Sequence, residues 1–210
     1  MGQCAVVVEA VGGKLGGNRF MSGRGVGEEV VEACRRGDRE AFRLLFEAYK
    51  DRVYSIALYY FNGDEASARD ASQQVFLKLL TGMNSFRGRA EFSTWLYRLV
   101  ANVCIDRHRS GRALVFLDDL ASRRELVERT SPEEDHLRRQ VEQSVQAEVA
   151  RLRPKLRLPI LLRYFEGLSY QEIAQVMNCS AGTVASRLNR GHKMLATKLA
   201  HLRGVLVRGG

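Results

Sequence analysis

Residues 167–193 read GLSYQEIAQVMNCSAGTVASRLNRGHK. Ser169 followed three residues later by Glu172 is a capping box, so the spacing predicts a helix starting at Tyr170. Ile173, Ala174 and Met177 share one face over barely two turns. Asn178-Cys179-Ser180 then interrupts, and Asn178 suits a left-handed turn position. A second helix follows from about Ala181, with Val184, Leu188, Leu195 and Leu199 as its inner stripe. Two helices joined by a three-residue turn predict a helix-turn-helix, with Ala174 small where the helices cross. The outward face of the second helix offers Thr183, Ser186, Arg187, Asn189, Arg190 and Lys193. These are hydrogen-bond donors, several of them cationic, on a rod that fits a major groove.

An ordinary helical hairpin in a bundle would show the same spacing, and charge separates the two readings. The 210 residues carry 33 Lys and Arg against 24 Asp and Glu, a net charge of +9. Residues 1–27 and 28–112 are each +2, residues 113–136 are −4, and residues 137–210 are +9. After Glu172 no acidic side chain occurs, while Arg187, Arg190, Lys193, Lys198, Arg203 and Arg208 follow. A cationic run without anions suits a phosphate backbone better than a merely solvated face.

Elsewhere the sequence is punctuated helix. Residues 1–27 are rich in Gly, lack a period and read as a disordered extension. The first periodic pattern begins at Glu28, which leaves Met1 or Met21 as the start. Asp38 can cap a long helix whose stripe is Phe42, Leu45, Phe46, Tyr49, Val53, Ile56, Ala57 and Tyr60. Asn62-Gly63 ends it, and Asp64 can cap a second helix with Ala68, Ala71, Val75, Phe76, Leu79 and Leu80 inside and a stop at Gly82. A third runs from about Glu91 to Ser110, with Phe92, Trp95, Leu96, Leu99, Val103 and Cys104 inside and Gly111 as its stop.

Residues 112–130 lack a clean period and read as a linker. Ser131-Pro132-Glu133-Glu134 is a second capping box. Leu137, Val141, Val145, Val149 and Leu152 continue from it. Pro154 breaks that pattern, Leu156 to Phe165 resumes it, and Pro159 fits only near a helix start. The fold class expected is all-α: two small helical domains, 28–111 and 131–205, joined by a flexible linker, with a short tail at 206–210.

Four cysteines (Cys4, Cys34, Cys104 and Cys179) are far apart and form no C-x-x-C pair, so neither a zinc site nor a disulfide framework is expected, and a reduced cytoplasmic setting fits. No metal or cofactor is expected. The four histidines show no ligand spacing. No apolar run approaches the roughly 20 residues that cross a bilayer, so direct membrane insertion is not expected. A phosphate loop and a nucleophile elbow are both missing, which argues against an enzyme.

Two separate motif sets resemble one family. Gly167-Leu168-Ser169-Tyr170-Gln171-Glu172-Ile173-Ala174 and Gly182-Thr183-Val184-Ala185-Ser186-Arg187-Leu188, preceded by Arg163-Tyr164-Phe165-Glu166, look like the promoter-reading domain of extracytoplasmic-function (group IV) sigma factors of the sigma-70 family. Asp70-Ala71-Ser72-Gln73-Gln74-Val75-Phe76-Leu77 resembles that family's core-binding helix. Phe86-Arg87-Gly88 and Phe92-Ser93-Thr94-Trp95-Leu96-Tyr97-Arg98 resemble its promoter-opening segment. The resemblance spans roughly residues 29–205.

That resemblance implies a protein that joins bacterial RNA polymerase core, reads a −35 element with the second domain, and opens the −10 element with the first. It also implies an anti-sigma factor partner. Asp70, Gln73, Gln74, Phe76 and Leu77 would bind core, although the family commonly has Glu at Gln74. Phe86, Arg87, Arg89, Trp95, Tyr97, Arg98 and Asn102 would meet the −10 DNA. Of these, Phe86 and Asn102 match positions that capture a flipped base, and the arginines would hold phosphates. Core packing is the alternative for Phe86 and Trp95. Ser180, Thr183, Ser186, Arg187, Asn189, Arg190 and Lys193 would meet the −35 duplex. Ala185 and Gly191-His192 replace residues that are often basic in the family. The competing reading is a helix-turn-helix regulator acting without polymerase, which would leave the motifs at 70–77 and 86–98 unused.

Overall fold

The computed structural model describes residues 25–88, 91–115 and 143–200. The first domain holds α1 (Glu28–Arg35), α2 (Arg39–Tyr60), α3 (Glu65–Gly82), a 3-10 turn (Met83–Ser85) and α4 (Phe92–Val115). The second holds α5 (helical over 143–151), α6 (Pro154–Phe165), α7 (Tyr170–Val176) and α8 (Ala181–Lys198). No strand occurs among the described residues.

Local signals set the boundaries. The Asp38 carboxylate accepts from the Glu40 and Ala41 amides at 2.8 and 3.1 Å, satisfying orphan donors at the start of α2. Asn62 ends that helix at φ 60°, while the Gly63 amide bonds back to the Leu58 carbonyl at 2.8 Å. The Asp64 carboxylate accepts from the Ser67 amide at 3.2 Å.

Three expectations are corrected. Gly111 does not stop α4, which continues to Val115, the last described residue before 143. A helical Gly costs only about 1 kcal/mol against Ala, too little to end a helix by itself. This also moves the expected domain boundary at 111 into a helix. Pro159 lies inside α6 rather than at its start and is buried. Pro154 takes the tolerated first position instead. Finally, Phe46 and Leu80, assigned to the core stripe, are exposed. The capping box at Ser131, and Leu137 and Val141, lie outside the described residues. Most of the expected linker and all of the Gly-rich extension before Gly25 do so too.

Leu45, Val53 and Ile56 of α2, Leu79 of α3, and Leu96 and Val100 of α4 are fully buried and close the first core. Val145, Val149, Leu158, Leu161, Ile173, Val184, Leu188 and Leu195 do the same for the second. The two cores are continuous, because α2 packs on α6 and α4 packs on α7. Tyr59 and Phe165 meet edge to face across this boundary, with ring centroids 4.6 Å apart.

Candidate protein and nucleic-acid interfaces

The helix-turn-helix forms as its residues dictate. The Ser169 amide donates to Glu172 Oε2 at 2.7 Å, and the Glu172 amide donates to Ser169 Oγ at 3.2 Å. Asn178 takes φ 48°, and the Cys179 amide bonds back to the Ala174 carbonyl at 3.0 Å. A left-handed residue with this back-bond closes a helix with little strain when that residue is Asn. Ser180 then caps α8, accepting from the Thr183 amide at 3.1 Å. Gly191 is where α8 crosses α6: a Cβ there would sit 2.6 Å from Ile160 Cδ1, and Ile160 is fully buried. The sequence pattern passed over this glycine.

Ser180, Ser186, Asn189, Arg190 and Lys193 are exposed along one side of α8. Two other predicted residues are drawn in. Thr183 shares a hydroxyl hydrogen bond with Ser180 at 2.9 Å. Arg187 is half-buried and donates to Cys179 Sγ at 3.7 Å. Burial lowers the pKa of His192, whose ring is 3.0 Å from Tyr164 Oη. A neutral imidazole there keeps charge off the α6–α8 contact.

The first domain presents a different kind of surface. Phe42, Phe46 and Tyr54 of α2 and Phe76, Leu77 and Leu80 of α3 line an open groove of about 490 Å³. Gln73, Lys50, Asp51 and Arg69 stand at its edge. Leu77 and Leu80 are 55% and 56% exposed, and Phe46 packs edge to face on Phe76 at 4.7 Å. Clustered exposed apolar side chains rimmed by polar ones mark a protein-binding surface. Gln73 and Leu77 come together at this groove, with Phe76 beneath them. Gln74 is exposed. Asp70 makes an ion pair with Arg107 of α4 at 2.5 Å. Phe42, Phe46, Tyr54 and Leu80 were missed, because helical period cannot tell an apolar residue facing the core from one facing a partner.

The residues expected to open DNA divide into three groups. Phe86 is buried, 5.6 Å from Phe92 and 5.3 Å from Trp95 between ring centroids. It therefore packs into an aromatic cluster rather than standing free as a pocket wall, and Trp95 shares that cluster half-buried. Arg87 and Asn102 are exposed. Arg89 lies outside the described residues.

Tyr97 and Arg98 face the second domain. The Tyr97 hydroxyl donates to the Glu166 carboxylate at the end of α6. Arg98 Nη2 donates to the Gln175 carbonyl of α7 at 2.9 Å. Burial raises the Glu166 pKa, against the opposing pull of the Tyr97 hydroxyl and Arg52. Burial and the adjacent carboxylate also push the Tyr97 hydroxyl far above its ordinary value. Nearby, the buried Arg157 donates to the Tyr60 carbonyl of α2 and to the Ala150 and Leu152 carbonyls. Its guanidinium lies 5.5 Å from the Tyr60 ring centroid, and burial lowers its pKa. Sequence reasoning missed Arg157 and Glu166, whose partners lie 97 and 69 residues away.

A helical domain with an exposed apolar groove, followed by a domain built on a helix-turn-helix, is consistent with the two-region plan of the sigma-70 class. Residues 45–113 match the family Sigma-70 region 2, and residues 142–195 match Sigma-70, region 4. The chain is 34% identical over 183 residues to the RNA polymerase sigma-H factor of Pseudomonas aeruginosa, covering 83% of this chain and 94% of that one. It is 33% identical over 181 residues to the ECF RNA polymerase sigma-E factor of Escherichia coli strain K12, covering 82% and 94%. With the ECF RNA polymerase sigma factor SigW of Bacillus subtilis it shares 30% over 180 residues, covering 82% and 96%. The chain belongs to the ECF RNA polymerase sigma factors.

Two solved structures share the fold. One is the sigma factor RpoE of Bartonella quintana in complex with the anti-sigma factor NepR. It has a TM-score of 0.63 and 20% identity, covering 77% of this chain and 98% of that one. The other is CnrH in complex with the cytosolic domain of CnrY, at 0.61 and 21%, covering 82% and 96%. Among the described residues no helix is long and apolar enough to cross a membrane, and no group of acidic, His and Cys side chains could hold a metal.

Proposed function

We propose that this chain directs core RNA polymerase to specific promoters, reading the −35 element with α8 and opening the −10 element with the first domain. One observation carries the proposal. A single chain joins an apolar groove beside the 70–77 motif to an acid-free, donor-rich helix-turn-helix face. A regulator acting without polymerase has no use for the groove.

The roles follow from chemistry. Leu77, Phe46 and Leu80 would bury against an apolar helix of the polymerase, while Gln73 and Gln74 orient it. Ser186, Asn189 and Arg190 would reach base edges in the major groove, and Lys193 and Ser180 the phosphates beside them. Tyr97, Arg98, Arg87 and Asn102 would receive the opened strand by stacking, charge and an amide edge. Phe86 and Trp95 would support that surface from below. The chain would supply no chemistry of its own and would act in the cytoplasm, where promoter DNA and polymerase are found. By analogy with RpoE in its complex with the anti-sigma factor NepR, an anti-sigma factor would bind this chain.

The test adds purified full-length protein to core polymerase on a genomic promoter library. Initiation at discrete sites that requires both components is expected. Binding to DNA alone, with no polymerase-dependent transcript, would replace this reading with that of a conventional regulator.

A further inference from the structure

The exposed side of α8 has two unlike edges. At 3.6 residues per turn, Ala185 and Asn189 lie about 40° apart around the helix, and Ser186 and Arg190 form a matching pair about 100° further round. Asn189, Ser186 and Arg190 are exposed and Ala185 is half-buried. Ala181, one turn earlier, packs on the core, but Ala185 does not, so its methyl group borders the open face.

Arg190 makes one edge cationic, and Lys193 stands between the two. The Ala185–Asn189 edge carries no charge of its own. Ala185 and Gly191-His192 stand where the family often has basic residues. Gly191 is buried against Ile160. His192 lies beside it with its ring 3.0 Å from Tyr164 Oη, where burial favours the neutral imidazole. An edge without a cation grips phosphate poorly. What it offers a duplex is one methyl group and one primary amide.

Those two groups match the two bases of one pair type. In the major groove an Asn amide pairs bidentately with adenine N6 and N7, and a small apolar side chain contacts the C5-methyl of thymine. Ala185 and Asn189 are about 6 Å apart along the helix axis at 1.5 Å per residue. Base pairs stack at about 3.4 Å, so the two side chains reach positions no more than about two pairs apart.

We infer that the Ala185–Asn189 edge reads A·T pairs within the −35 element, with Asn189 on adenine N6 and N7 and Ala185 on the methyl of a thymine within two base pairs. Ala185 is then a specificity-determining residue, where a basic side chain would have added affinity for any sequence. This rests on the proposed function and narrows its −35 role to one pair type on one edge of α8.

The test uses the full chain with core polymerase. Promoters randomised across the −35 region are selected for polymerase-dependent initiation. Two base analogues are then placed singly through the selected element. Deoxyuridine in place of thymidine removes only the methyl group, and 7-deazaadenine in place of adenine removes only N7. Affinity of the polymerase complex is expected to fall about fourfold at one deoxyuridine position, the worth of one buried methyl group. It is expected to fall on the order of tenfold at one 7-deazaadenine position within two base pairs of the first. The deoxyuridine effect should vanish in Ala185→Gly and the 7-deazaadenine effect in Asn189→Ala, each variant keeping the other effect. Circular dichroism checks that both variants are folded. The analogues are read first on the wild type, so a misfolded variant does not shield the inference. A selected element without A·T pairs overturns it. So does an analogue without effect at every position, or an effect that persists in its matching variant. Any of these results alongside specific polymerase-dependent initiation sinks the inference and leaves the sigma-factor reading standing. Absence of polymerase-dependent initiation overturns the proposed function and this inference with it.

Discussion

The two domains are of similar construction and opposite surface. Residues 28–112 are nearly neutral, and their partner face is a groove of Phe46, Leu77 and Leu80. Residues 137–210 hold the whole excess charge, and their partner face is a polar, cationic side of α8. The difference reflects what each must hold. A protein helix is gripped by removing apolar area from water, a term that salt barely screens. A duplex is gripped by displacing counterions, a term that salt governs.

This contrast is broken most forcefully at Leu77. Leu77→Asp places a charge on the apolar groove and is expected to weaken core binding by about 2–4 kcal/mol. Competition against wild type for core would measure it, with −35 duplex binding unchanged. If both fall together, the surfaces are not independent.

On the other domain, Arg190→Ala should weaken −35 binding by about 1–3 kcal/mol and flatten its salt dependence. Arg187→Ala should cost less, because Arg187 is half-buried and held by Cys179. Titrations at several salt concentrations would rank the two. Arg187 proving the stronger would mean that its bond to Cys179 breaks on DNA.

Stability separates the domains next. Gly191→Ala drives a methyl into Ile160 and should destabilise the second domain by about 1–2 kcal/mol. Chemical denaturation would show it, and an unchanged midpoint would mean that α6 and α8 can move apart without loss.

The smallest effect is pH. Burial raises the Glu166 pKa when the domains are closed. The closed form then holds its proton more tightly, so closure is strongest below the ordinary Glu range. It weakens as pH rises through the raised value. Energy transfer between fluorophores placed at the exposed positions 48 and 197, one in each domain, should therefore fall modestly with rising pH in wild type and stay flat in Glu166→Gln. A rise in wild type would reverse the assignment.

How much of this was legible depended on the range of the interaction concerned. Caps at Asp38, Asp64, Ser169 and Ser180, and the turn at Asn178, join groups within about five residues. Such geometry is dictated by the backbone and a short polar side chain, so residue type and spacing predict it. Gly111 misled because a helix stop needs a left-handed geometry and a competing hydrogen bond, which one glycine does not guarantee. Phe46 and Leu80 misled because a 3.6-residue period marks a hydrophobic face but not its occupant.

By itself, then, the sequence determined an all-α chain, a helix-turn-helix, and a charge gradient that assigns duplex binding to the second half. Tertiary structure alone decided three things: that Phe46, Leu77 and Leu80 form a groove, that Phe86 packs inward, and that Tyr97 and Arg98 meet the second domain. Each of these depends on which helix packs against which. That is settled by side chains far apart in sequence, such as Arg157 and Tyr60, competing to bury area and satisfy carbonyls in one shared core.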